Sequence, residues 1–194
     1  DDGSAYNVTV LTQPTMPNQT CVVTGPMGNL AGGNAELAVA CTTNQYDVNI
    51  SVSGLAATNS VSFSNGGDSL TINTGGTQTI TTADDGSAFD VDITAQPDTP
   101  NQVCGFDNAD SGSLAGGDAT VNVSCVTTQY TVGVNVSGLA AGNSVVFQNN
   151  TGDDLNVNAN GVSTFATSLD DGSAYNVTVL TQPTMPNQTC VVTG

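Results

Sequence analysis

The run QYDVNISVSGLAATNSVSF, residues 45–63, places Val48, Ile50 and Val52 at every second position and resumes the alternation at Val61 and Phe63. Successive side chains of a strand point to opposite faces, so this spacing lines one face with apolar groups and leaves Asn49, Ser51 and Ser62 to water. The same period of two recurs at Leu70 and Ile72, at Phe89, Val91 and Ile93, and at Val121 and Val123, and no stretch carries an apolar stripe of helical period. Between these runs sit NGGD, TGG, DDGS, QPDTPN and SGSLAGGD, rich in the residues that turns require. Asp85-Gly86 and Asn160-Gly161 read as tight hairpin turns.

The opening run returns as QYTVGVNVSGLAAGNSVVF at residues 129–147, an offset of 84. A second motif, DDGSAYNVTVLTQPTMPNQTCVVTG, occupies residues 1–25 and recurs without one change at residues 170–194, with an altered version, DDGSAFDVDITAQPDTPNQVC, at residues 84–104. A fixed period decides architecture. The chain is predicted to be all-β, a tandem array of immunoglobulin-like antiparallel β-sandwiches of about 84 residues per repeat, each with seven short strands separated by turn signals.

Composition narrows the partners. The 194 residues include no Lys, Arg or His, and sixteen Asp with Glu36 give a net charge of −17, yet only 9% of residues are charged. That is unlike a charge-dense disordered tail. The 38% apolar content, mostly Val and Ala, suffices for several small cores. Neutralising phosphates takes cationic side chains, so nucleic acid is excluded as a partner. The apolar runs span a few residues, against the roughly 20 that cross a bilayer, so no membrane-spanning segment is expected. The first residues show neither an initiator Met nor a basic region followed by an apolar one, and the expectation is a processed chain or an interior window of a longer one.

Cys21 and Cys41 are 20 residues apart, and Cys104 and Cys125 are 21 apart. Cys125 shares the strand phase of Val121 and Val123, so it faces the core, where inward cysteines on neighbouring strands can meet. Pairing of Cys21 with Cys41 and of Cys104 with Cys125 is predicted, with reduced buried thiols as the alternative; zinc is disfavoured by the lack of any His or C-x-x-C pair. Cys190 follows the same PNQT that precedes Cys21, which puts its expected partner about 20 residues further on, outside this segment. Disulfides imply an oxidising, extracytoplasmic setting. Closing each domain at its second cysteine divides the chain into residues 1–41, the C-terminal part of a repeat; 42–125, a complete repeat; and 126–194, a repeat lacking its final strand.

The run VSGLAAGNSVVFQNNTGDDLNVNANGVSTFATSLDDGSAYNVTVLTQP, residues 136–183, closing on QTCVVT, resembles the tandem immunoglobulin-like repeats of large bacterial surface and secreted proteins. The resemblance spans essentially the whole chain. It implies an extracellular or cell-surface location, and an adhesive or fibre-forming role. It also implies self-association into a fibre or continuation of the same tandem-repeat chain, and it carries no catalytic residues. Three classes of function remain: a structural filament, which near-identical repeats favour; the stalk of an adhesin that presents a binding domain outside this segment; and, last, a soluble ligand-binding or enzymatic protein.

No enzyme is expected. General acid–base catalysis at neutral pH leans on His, and activated nucleophiles on an adjacent His or Lys, all absent here. Asp110-Ser111-Gly112 matches the D-S-G of aspartic proteases in its letters, but those enzymes need two facing loops, and the corresponding part of the first repeat reads PMGNLAGG. A turn is expected there. Among cofactors the candidate is calcium, for which Asp84, Asp85, Asp153, Asp154, Asp170 and Asp171 offer hard oxygen ligands in the DDGS and NTGDD turns. Solvated turns are the competing reading, because adjacent Asp side chains diverge and Asp-Gly favours turns for conformational reasons.

Overall fold

The computed structural model describes residues 1–193, which form seventeen strands and no helix. No helix among them is long and apolar enough to cross a membrane. The chain divides into two compact units, Asp1–Pro97 with Cys104–Cys125, and Asp98–Val103 with Val126 onward. Residues 1–41 and most of 42–125 thus pack in one unit, whereas Asp98–Val103 joins the unit that follows it.

The first four strands are β1 (Ala5–Asn7), β2 (Gln19–Val23), β3 (Met27–Asn29) and β4 (Val39–Thr43). They make two antiparallel pairs, β1 with β3 and β2 with β4, and the second sets Cys21 opposite Cys41, joined by a disulfide.

The next strands are β5 (Gln45–Ser53), β6 (Val61–Asn65), β7 (Asp68–Ile72), β8 (Gly76–Asp84), β9 (Ala88–Ala95), β10 (Gln102–Phe106), β11 (Ser111–Ser113) and β12 (Ala119–Thr127), within the stretch expected to be one complete repeat. These are eight strands where seven were expected. The extra one, β11, lies where the D-S-G turn was expected; it forms because Ser111, Gly112 and Ser113 pair with Asp90, Phe89 and Ala88 of β9.

The eight strands make two four-stranded sheets, in the orders β10-β12-β5-β8 and β11-β9-β6-β7. Val48, Ile50, Val52, Val121 and Val123 of the first sheet share one core with Val61, Phe63, Ile72 and Val91 of the second. The alternation seen in sequence accounts for this core, since all nine are at most 3% exposed. Cys104 and Cys125 form a disulfide at its edge.

The strand order departs from the immunoglobulin expectation, in which the first strand lies beside the second and the third beside the sixth. Here β5 sits between β8 and β12. It runs parallel to β12, with Val48 opposite Ala119 through Ser53 opposite Ser124, while β6 pairs with β7 and β9. The cause is local. The two residues Gly66-Gly67 close a hairpin between paired Asn65 and Asp68, which keeps β6 and β7 in one sheet. The segment between β5 and β6 must therefore carry the chain from one sheet to the other.

Asp85-Gly86 also differs from expectation. Gly86 at φ 89° and the Ser87 N–H to Asp84 carbonyl bond of 3.0 Å make a tight turn, but it links β8 in one sheet to β9 in the other. β8 is already paired with β5, and β9 with β6 and β11, so no hairpin forms.

The second unit contains β13 (Gln129–Val136), β14 (Val145–Asn149), β15 (Asp153–Val157), β16 (Gly161–Asp170) and β17 (Val177–Thr181). β13 pairs with β16 as β5 does with β8, and β14 lies between β15 and β17 as β6 lies between β7 and β9. Asn160-Gly161 accordingly links two sheets and is not a hairpin turn either. Val136, Leu139, Val145, Phe147, Val157 and Phe165 form the core of this unit.

Candidate functional site

The two carboxylates of the DDGS motifs at residues 84–87 and 170–173 go different ways. Asp84, the last residue of β8, accepts a bond from the Gln45 side-chain amide at 3.0 Å, and Asp170 accepts one from Gln129 at 2.9 Å. Asp85 instead turns to two loops. Its Oδ2 accepts the Asn18 N–H at 2.5 Å, and its Oδ1 accepts the Gly116 N–H at 2.7 Å.

The Asn18 contact closes a ring. Asp85 donates its N–H to the Asn44 carbonyl at 2.8 Å, Asn44 donates to the Asn18 carbonyl at 2.9 Å, and Asn18 donates back to the Asp85 carboxylate. The three members come from the PNQ turn of the first repeat, the single residue between β4 and β5, and the DDGS turn of the next repeat. A sequence of this kind folds so because the connection between β4 and β5 is too short to satisfy its own backbone groups, and the flanking turns supply the partners.

A second ring repeats the first. Asn101 donates to the Asp171 carboxylate at 2.6 Å, Asp171 donates to the Thr128 carbonyl at 2.8 Å, and Thr128 donates to the Asn101 carbonyl at 2.9 Å. Thr128 is the single residue between β12 and β13. This ring explains why Asp98–Val103 belongs to the second compact unit. At the start of the chain, Asp2 takes the Gly32 N–H at 2.6 Å, as Asp85 takes that of Gly116. The PNQ turns are alike too, with isolated bridges at Thr15 and Asn18, Asp98 and Asn101, and Thr184 and Asn187.

No protein-family model, curated protein or solved structure matches this chain.

With no side-chain cation in the chain, backbone N–H groups meet the junction charge. The N–H groups of Asn18, Gly116 and Gly86, in that order of effect after allowing for burial, hold the Asp85 carboxyl below the usual carboxylate range, and burial opposes them. A carboxyl depressed by folding stabilises the fold above its unfolded value, about 3.9, and that contribution fades as pH falls through the lower folded value. In an acid titration followed by NMR, the Asn18 and Gly116 amide proton resonances should move together below about pH 4, and Asp85→Asn should abolish the shared step. Resonances that stay fixed to strong acid, or that titrate separately, would refute the ring as an ionised latch.

A second recurring device was missed in the sequence. Gln13 donates its side-chain N–H to the Cys21 carbonyl at 3.1 Å and accepts the Cys21 N–H at 2.7 Å. Gln96 braces Cys104 in the same way, at 3.0 and 2.8 Å, and Gln182 braces Cys190 at 3.0 and 2.7 Å. The available signal was a Gln-Pro dipeptide whose Gln precedes each of these cysteines by eight residues. Cys190 is a free thiol, partly buried against the second core.

The six aspartates considered for calcium are not brought together. Asp84, Asp85, Asp170 and Asp171 are engaged as described; Asp153 accepts the Thr167 N–H at 3.0 Å and Asp154 the Gln148 amide at 2.7 Å. Among the described residues no group of three or more His, Cys, Asp or Glu could hold a metal ion. Neighbouring carboxylates on extended backbone diverge, so a paired sequence does not make a paired site.

Proposed function

We propose that this chain is a structural segment of an extracellular bacterial filament or surface fibre. It is built from tandem disulfide-stapled β-sandwiches of the broad immunoglobulin-like kind, with the strand order described above. The observation that carries this reading is the recurrence of one hydrogen-bonded ring, Asn18–Asn44–Asp85 and then Asn101–Thr128–Asp171, at successive junctions. Equivalent junctions repeated along a chain are what a regular polymer requires. The disulfides suit a non-reducing compartment, and outside a cell they would brace small Val-rich cores.

Sedimentation and electron microscopy of the purified chain test the proposal. A fibre component self-associates, and because the net charge is −17 its assembly strengthens as salt rises to about 0.15 M, where the Debye length is about 8 Å. Strictly monomeric particles across that range would favour the stalk of an adhesin instead.

A further inference from the structure

The two four-stranded sheets end on β10 and β8, and on β11 and β7. Three of these four edges are blunted against a further strand. β11 is three residues long, and β7 is five and opens on Asp68. On β10 the Gln96 side chain occupies both the N–H and the carbonyl of Cys104, the groups that a new strand would pair with. The second unit protects β16, the counterpart of β8, in a similar way: Asp153 takes the Thr167 N–H at 3.0 Å. Short strands, acidic residues and side chains laid across backbone groups all keep edges from pairing.

β8 carries none of these devices. It runs nine residues, Gly76–Asp84, contains no Pro, has no charge before Asp84, and pairs with β5 alone. Among the described residues its side-chain bonds all return to β5: Thr77 donates to Ser51 at 3.1 Å, Thr79 to Asn49 at 2.7 Å and Thr82 to Asp47 at 2.5 Å, while Asp84 accepts from Gln45 at 3.0 Å. The Asp85 N–H bonds the Asn44 carbonyl, and bonded and non-bonded pairs alternate along an antiparallel ladder, so Thr82, opposite Asp47, turns its own N–H and carbonyl away from β5. Thr77 and Thr79 bond side chains on the same face of the sheet as Thr82 does, and residues on one face of a strand send their backbone groups to the same side. Their N–H and carbonyl groups therefore also line the free edge. The register shift on β8 falls between Thr79 and Thr81, past the run Gly76–Thr79.

We propose that the free edge of β8 takes β8 of a second copy of this chain, antiparallel, so that Thr77 of each copy faces Thr79 of the other and the two Gln78 side chains meet at a two-fold axis. Backbone pairing of this kind is self-complementary and needs no matching side-chain surface. Charge selects the occupant. In a chain of net charge −17 without a side-chain cation, two copies can approach only where neither is charged, and Gly76–Ala83 is such a stretch. A cationic partner would find no carboxylate there before Asp84. Charge also selects the direction, because antiparallel pairing sends the two Asp84 carboxylates to opposite ends, whereas parallel pairing would set them side by side. The contact continues each four-stranded sheet into the other, and, weak by itself, it gains strength where repeats recur along one chain. It gives the proposed fibre its lateral joint, and rests on that reading only in being repeated along an array.

The test is sedimentation equilibrium of the full chain from micromolar to millimolar concentration, with amide hydrogen exchange followed by NMR over the same range. A monomer–dimer equilibrium is expected, in which exchange at the Thr77 and Thr79 amides slows as dimer forms. Thr79→Pro removes one outward N–H from each copy, hence two bonds from each pair, without taking a backbone bond from β5. Gln78→Glu sets like charges face to face across the axis. Each should raise the dissociation constant about tenfold or more. Should the proline variant fail to fold, Gln78→Glu, a change at an exposed side chain, carries the test. A native chain that stays monomeric, or exchange at Thr77 and Thr79 that ignores concentration, overturns the β8 contact. Association that a folded Thr79→Pro and Gln78→Glu both leave unchanged removes the edge while the fibre reading stands. Dimers that meet every expectation but never grow into fibres under the electron microscope keep the edge and remove the fibre reading.

Discussion

Phe63→Ala should lower the stability of the first unit by about 3–5 kcal/mol, the usual cost of removing a fully buried phenyl ring from a packed core. Phe63 is 0% exposed, at the centre of β6, where it packs with strands of both sheets. The cost is high because the alternating β-branched neighbours are stiff and cannot collapse into the space. Urea unfolding monitored by circular dichroism would show the first unit's transition moving to lower denaturant. Phe147→Ala, at the same position one repeat on, should cost less, because Phe147 is 5% exposed and lines a cavity of about 590 Å³ together with Val132, Val134 and Val177. Equal losses at the two positions would contradict this account of the cores.

Gly54→Ala and Gly138→Ala should separate just as clearly. Both glycines have positive φ, 71° and 74°, where an L side chain costs about 1–2 kcal/mol. At Gly54 the added methyl also strikes the Cys125 carbonyl and must displace β12, an overpacking term of about 1–3 kcal/mol. The expected total is roughly 4 kcal/mol at Gly54 and about 1 kcal/mol at Gly138. Calorimetry of the two variants measures the difference, and a Gly138 variant as damaged as the Gly54 one would contradict the open surroundings of Gly138, where an added Cβ meets no atom within 4 Å.

The inward faces were legible from the sequence, because a strand's side-chain period is fixed by geometry: Val48, Ile50, Val52, Val61 and Phe63 are all core residues. The pairs Cys21–Cys41 and Cys104–Cys125 are bonded as their spacing suggested. Strand order was not legible. Alternation tells which way Val48 points but not that its neighbour across the sheet is Ala119, which depends on contacts 71 residues away along the chain. The junction was half legible. Asp85 stood out as an acidic turn residue, but its partners are the backbone N–H groups of Asn18 and Gly116, and a backbone donor leaves no trace in residue identity. The acidic turns offered calcium ligands by residue type alone, and among the described residues no three or more His, Cys, Asp or Glu come together as a metal site, in keeping with the divergence of adjacent Asp side chains.

The glutamine braces bear on how the sulfur crosslinks are made. Gln182 grips Cys190 with the same two bonds by which Gln13 grips Cys21 and Gln96 grips Cys104, although Cys190 has no sulfur partner. The grip therefore does not depend on oxidation. Cys21, Cys104 and Cys190 are each presented by a carboxamide clamp that holds with or without a crosslink, so bond formation at these positions captures a strand already in place. The order in which strand placement precedes sulfur chemistry is thus written into an amide eight residues upstream of each of these three cysteines.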